Sequence, residues 1–251
     1  MTTQTDKARR LHSLHRGDSP LVLFNIWDAG SAKAVADTGA RALATGSWSV
    51  AAANGYSDGE AVPLAVAMDN LARIAGVCDL PVTVDLERGY ADVADTVRRA
   101  IAAGAVGCNL EDGLAEGLRA EDAQAVRLAQ AREAAESAAV PMFINARTDV
   151  FLQTPPHRHG EREVDEALKR GARYAAAGAD GLFVPGLVDD VLIARLVRDS
   201  KLPVNIMTGA KTPSLARLAA LGVARVSHGP GPYLMAMQAL AHAAREACTV
   251  S

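Results

Sequence analysis

Residues 82–90 read Val-Thr-Val-Asp-Leu-Glu-Arg-Gly-Tyr, an apolar run that finishes in two carboxylates, Asp85 and Glu87. Residues two apart on a strand point to the same face, so both acids aim past the strand's end. Gly89 then lets the chain turn. Paired acids are an expensive way to end a buried strand. They suit a divalent cation, because hard cations take oxygen ligands. The plainer alternative is one acid capping the next helix and the other solvated. Similar groups follow other apolar runs: Asn25, Trp27 and Asp28; Thr45, Gly46, Ser47 and Asp58; Glu111 and Asp112; Arg147 and Asp149; Asn205, Thr208 and Lys211; and His228.

Several carboxylates in one mouth repel each other, and a bound Mg²⁺ or Mn²⁺ relieves this. Magnesium takes only one or two protein carboxylates directly, leaving other acids to hold its waters. Arg147 offers a planar fork for a substrate carboxylate. It could equally pair with Asp149 or Glu111. Gly46 and Ser47 offer backbone N–H groups and a hydroxyl to an enolate oxygen, or form an ordinary loop.

The scaffold has to bring these strand ends together. Short apolar runs predict strands at 21–24, 41–45, 81–86, 105–110, 141–146, 180–184, 202–207 and 223–227. Between them, helices are expected at 30–38, 61–77, 92–103, 120–138, 161–177 and 189–200. Two more follow: one opened by Thr212-Pro213 and ending near Gly222, the last at 232–247. Residues 46–60 and 153–160 read as loops, and 1–19 as a leading helix or arm. Continuous apolar strands fit a sheet buried on both faces. About eight strand-helix units in 251 residues predict a single α/β domain over 1–251, a (β/α)8 TIM barrel. In such a barrel the loops after the strands build the active face, which is where the polar residues gather.

Composition narrows the function. The formal charge is −3, aromatics are 4% and no basic stripe is visible, which argues against nucleic acid. Three widely spaced cysteines, Cys78, Cys108 and Cys248, fit a reducing compartment without a disulfide frame or zinc site. No secretory signal or membrane span is visible, so a soluble cytoplasmic protein without membrane partners is expected.

The motifs Asp85-Leu-Glu-Arg-Gly-Tyr90, Gly107-Cys-Asn-Leu-Glu-Asp112 and Asn145-Ala-Arg-Thr-Asp149 resemble the signature of the isocitrate lyase / phosphoenolpyruvate mutase superfamily. Asn54-Gly-Tyr-Ser-Asp-Gly59 and Lys211-Thr-Pro213 also match its pattern. The likeness runs from about Leu21 to His228. It implies a Mg²⁺-dependent enzyme that makes or breaks a C–C or P–C bond beside a 2-oxo acid, through a metal-bound enolate. Asp85 would then be the direct metal ligand, with Asp58, Glu87 and Glu111 acting through metal-bound water. Arg147 would bind substrate carboxylate, and Thr45, Gly46 and Ser47 the keto acid. Trp27, Asp85 and Asn205 complete the expected substrate-binding set, and Asp58, Glu111, Arg147 and His228 the catalytic one. The resemblance also implies a homo-oligomer, dimer or tetramer, with the C-terminal helix exchanged between subunits.

One departure bears on the reaction. Residues 111–120, Glu-Asp-Gly-Leu-Ala-Glu-Gly-Leu-Arg-Ala, lack the cysteine acid of the isocitrate and methylisocitrate lyases. They also lack the Lys and Asn or Thr with which the mutase and phosphonopyruvate hydrolase handle a phosphoryl group. Glu116 and Arg119 are the functional side chains left. The expectation is therefore a Mg²⁺-dependent lyase or decarboxylase of a small 2-oxo acid or 2-hydroxy diacid, oxaloacetate-like in class. The alternatives are P–C chemistry on phosphonopyruvate or phosphoenolpyruvate, and a barrel that binds a keto acid without turning it over. His157 and His159 belong to a surface loop, and His228 could serve as an acid at the mouth.

Overall fold

A computed structural model describes residues 2–249. Four strands come from the first half of the chain: β1 (Leu21–Leu23), β2 (Leu43–Ala44), β3 (Val82–Asp85) and β4 (Gly107–Glu111). The second half supplies β5 (Phe143–Arg147), β6 (Gly181–Phe183), β7 (Val204–Met207) and β8 (Arg225–Ser227). All pair in parallel, in the order β1-β8-β7-β6-β5-β4-β3-β2. A parallel bridge between Ile26 and Thr45 spans the remaining gap, so the sheet closes as the expected (β/α)8 barrel. In register, Asp85 stands beside Asn109, Asn109 beside Asn145, and Glu111 beside Arg147. The period of two then carries Asp85, Asn109, Glu111, Asn145 and Arg147 to the barrel interior together.

The helices are α1 (Gln4–Leu14), α2 (Ala29–Ala36), α3 (Ser47–Ala53), α4 (Leu64–Gly76), α5 (Val93–Ala102) and α6 (Glu121–Ser137). They continue with α7 (Val150–Gln153), α8 (Glu161–Ala176), α9 (Asp190–Asp199), α10 (Leu215–Ala220) and α11 (Gly231–Cys248). α5 shows how the sequence writes one. Asp92 caps it by accepting from the Asp95 N–H, and Val93, Val97, Ala100 and Ile101 form its buried face. Gly104 then ends it in left-handed backbone, φ 100°.

α1 packs at the ends where the strands begin. Its Gln4 side chain donates to Ile101 O and Ala105 O, and Leu11 fills the space where a side chain on Gly107 would clash. His15 stacks on Phe143 with ring centres 3.8 Å apart, and burial pushes its pKa down to about 3.

Two stretches differ from the sequence reading. Residues 47–53 are helix rather than loop, because Gly46 supplies an extended N-cap and small residues follow. α10 starts after Ser214, not at Thr212-Pro213. Ser214 accepts from the Arg217 N–H, whereas the Thr212 hydroxyl accepts from the Gly209 N–H and closes a turn. The three cysteines are free. Among the described residues no helix is long and apolar enough to cross a membrane.

Candidate active site

At the ends where the strands finish, a cavity of about 170 Å³ opens. Asp85 and Arg147 both line it, from β3 and β5. Asp85 is held from behind and above. Its backbone N–H donates to Thr45 Oγ1 at 3.0 Å, and its Oδ2 accepts from the Ser47 hydroxyl at 3.0 Å and the Ser47 N–H at 3.3 Å. The Gly46 N–H is taken by Ile26 O at 3.3 Å. The two N–H groups read as an enolate cradle are therefore engaged within the protein. Thr45 stands beside β3 and lines the small chamber next to Asp85 rather than the main cavity.

Arg147 is clamped on two sides. Its Nε and Nη2 donate to Asp149 at 2.6 and 3.0 Å, and its Nη1 lies 2.8 Å from Glu111 Oε2. The Phe183 ring lies 5.9 Å from its guanidinium carbon. Of five guanidinium N–H groups three are used, which leaves one on each terminal nitrogen for a ligand. The pairing with Asp149 and Glu111 is present, and it does not use up the guanidinium. Burial pulls the Arg147 pKa down, but Glu111 and Asp149 more than offset this and hold it charged. Asp149 is itself anchored, its N–H donating to Asp112 Oδ1 at 2.9 Å. Asp112 is fully buried and accepts from Tyr174 Oη at 2.7 Å and Arg170 Nη1 at 3.1 Å.

The remaining acids surround Asp85. Glu87 does not extend the strand. Its backbone turns left-handed, φ 52°, and its buried carboxylate accepts from the Glu60 N–H. A chamber of about 20 Å³, room for one water, lies between Glu87, Asp85 and Thr45. Burial, with Asp85 and Asp58 nearby, pushes the Glu87 pKa up to about 7. Burial likewise pushes Glu111 up to about 8, against the pull of Arg147. Asp58 is exposed and borders the main cavity. An all-oxygen set with this excess of negative charge fits Mg²⁺ or Mn²⁺ better than a soft metal. Among the described residues, no three His, Cys, Asp or Glu side chains surround one point.

Four expected residues lie elsewhere. His228 follows β8 by one residue and so faces outward, its Nδ1 3.2 Å from Leu23 O and its ring 5.1 Å from Phe24. It does not line the cavity, so the reading of His228 as an acid at the mouth is corrected. Trp27 packs edge-on against Tyr233, and Trp48 lines the cavity instead. Asn205 is buried one layer below the cavity, bonded to Asn145 and Ser227. Lys211 borders a separate surface depression with His159 and Asp189. Sequence reasoning also missed Glu60, which clasps the loop after β3 by accepting from the Tyr90 N–H at 2.6 Å and Arg88 Nε at 3.3 Å. Acidic residues in a polar loop carry no sign of that contact.

The connection after β4 is short and fixed. Gly113 and Leu118 form a bridge, and Gln153 of α7 bonds both Leu114 O and the Gly117 N–H.

Known proteins are similar to this chain in sequence and fold. A crystal structure from Burkholderia cenocepacia J2315, provisionally described as a phosphonomutase, superimposes with a TM-score of 0.95 at 55% identity, covering 98% of this chain and 100% of that one. An uncharacterized protein of Mycobacterium tuberculosis (strain ATCC 25618 / H37Rv) is 35% identical over 93% of this chain and 87% of its own length. An oxaloacetate decarboxylase of Pseudomonas savastanoi pv. phaseolicola (strain 1448A / Race 6) is 28% identical over 96% of this chain and 84% of its own. The sequence profile of phosphoenolpyruvate phosphomutase matches residues 11–248, nearly the whole barrel, so the chain belongs to that family.

Proposed function

We propose that the protein is a divalent-metal-dependent lyase that decarboxylates oxaloacetate or a closely related 2-oxo diacid. The observation that carries this reading is the pairing of Asp85 with the half-free Arg147 fork across one small cavity. Relatives named oxaloacetate decarboxylase, at 28–29% identity, support it. Asp85 would hold Mg²⁺ directly, with Asp58, Glu87 and Glu111 reaching it through water. The ion supplies positive charge where the 2-oxo oxygen becomes negative. The two unused N–H groups of Arg147 grip the retained carboxylate, while Glu111 and Asp149 keep the fork from turning. The C–C bond to the departing carboxylate then breaks, CO₂ leaves, and its electron pair stays on the three-carbon acid. Solvent protonates the carbon. No cysteine acid is needed, which agrees with residues 111–120. The test is pyruvate formation from oxaloacetate with Mg²⁺. Asp85→Ala is expected to lower it at least ~100-fold, as loss of a positioned electrostatic group does, and equal rates from both proteins would reject the assignment.

A second reading, P–C bond chemistry, draws on the 55% likeness to the provisional phosphonomutase. It predicts phosphonate formation or phosphate release from phosphoenolpyruvate or phosphonopyruvate, visible by phosphorus NMR. Silent spectra with both substrates would remove it.

A further inference from the structure

Below the cavity lies a buried polar layer whose direction is set from one side. Asn109 of β4 lines the cavity floor, next to Asp85 in register, and is 5% exposed. Arg225 of β8 reaches the same interior and is 1% exposed. Its Nη2 donates to Asn109 Oδ1 at 3.3 Å, and Asn145 Nδ2 donates to the same oxygen at 2.9 Å. A guanidinium has donors and no acceptor, so the atom facing it has to be the amide oxygen. Turning the Asn109 amide over would set N–H against N–H. Asn145 cannot compensate by turning as well, because its Nδ2 also donates to Asn205 Oδ1 at 3.1 Å. Asn205 is fixed in turn, its Nδ2 donating to the carbonyls of Ile206 and Arg225, which only accept. Gly181 completes the layer, since a side chain there would strike Asn145 Oδ1. The outcome is that Asn109 Nδ2 points to the cavity and donates to no other group among the described residues. Burial pushes the Arg225 pKa down to about 10, so it stays cationic at neutral pH.

We propose that Asn109 Nδ2 binds an anionic oxygen of the 2-oxo acid beside Asp85, and that Arg225 is the positioning residue that holds this amide donor-side up. The inference rests on the keto-acid reading of the cavity. It adds a neutral donor on the floor to the charged fork on the wall. A carboxylate or enolate oxygen meets a fixed N–H there.

The test is calorimetric binding of oxalate, a planar dianion of enolate shape, to the full chain with MgCl₂ present. This reads binding whether or not any substrate turns over. Asn109→Ala is expected to weaken oxalate about tenfold, the loss of one hydrogen bond to a charged group. Asn109→Asp, which puts a negative charge in the same shape, is expected to weaken it at least ~30-fold. Arg225→Gln can present either end of its amide, so it is expected to weaken oxalate about tenfold alone but less than about twofold on top of Asn109→Ala. Arg225→Lys, again donor-only, is expected to stay within about threefold of the parent protein. A merely structural role for Arg225 would not depend on Asn109. Oxalate binding unchanged by both Asn109 variants would overturn the proposal. So would equal weakening by Arg225→Gln in both backgrounds. If melting curves show Arg225→Gln unfolded, the two Asn109 variants decide alone. Failure of the parent protein to bind oxalate would instead remove the keto-acid reading itself.

Discussion

Glu87 combines two unfavourable features beside the cavity: left-handed backbone at φ 52° and a buried carboxylate. Glu60 and Tyr90, also left-handed at 67° and 56°, belong to the same pair of loops. Each such residue costs on the order of 1–3 kcal/mol, and this concentration is a mark of functional sites. The acidity of Glu87 has a consequence for metal-free protein. Its pKa is pushed up to about 7 by burial, so the folded state keeps a proton that the unfolded chain gives up near pH 4.5. Stability therefore falls as pH rises through this window and levels off above it. Melting in EDTA is expected to drop on the order of 5 °C between roughly pH 5 and pH 8, and saturating Mg²⁺ to restore it. A flat profile in EDTA would contradict the assignment. Asp85 and Arg147 were legible in the sequence because each ends an apolar strand and keeps its parity. His228 was misplaced because one residue past β8 reverses the face. Trp27 and Trp48 both follow strands, and only the path of α3 decides which lines the cavity.

Arg147 depends on a neighbouring element that touches no ligand. Gly113, just after β4, leaves room for Asp149, whose carboxylate occupies the place of the absent side chain. Gly113→Ala is expected to displace Asp149, free the guanidinium and raise KM for a keto acid about tenfold or more while kcat changes less, as lost ground-state binding does. Steady-state kinetics beside a melting curve check this. An unchanged KM in a folded variant would show that Asp149 does not govern Arg147. The eight strands were legible from apolar runs, and most helices from caps and Gly stops such as Asp92 and Gly104. α3 was not, because Gly, Ser, Ala and Asn are as common in loops as in short helices. The start of α10 slipped by two residues because Thr212, Pro213 and Ser214 all carry N-terminal signals, and the Thr212 hydroxyl accepts from the Gly209 N–H.

For the whole molecule, α11 presents a long uncovered face beyond its contacts at Tyr233. Pro232 is its buried residue, while residues 238–249 are exposed and Leu234, Met235 and Leu240 stand 43%, 62% and 63% open to solvent. An apolar stripe of this kind marks an association surface, and we propose that α11 packs against a second copy of the chain, as the family resemblance implies. Sedimentation is expected to show an oligomer for the full chain and a smaller species after deletion of residues 238–251; a monomeric full chain would reject this. On the other flank, the turn at 113–118 is fastened to α7 through Gln153. With this turn fastened, turnover is expected to stay insensitive to solvent viscosity raised with sucrose, and a rate falling in proportion to viscosity would show that a moving part gates the cycle.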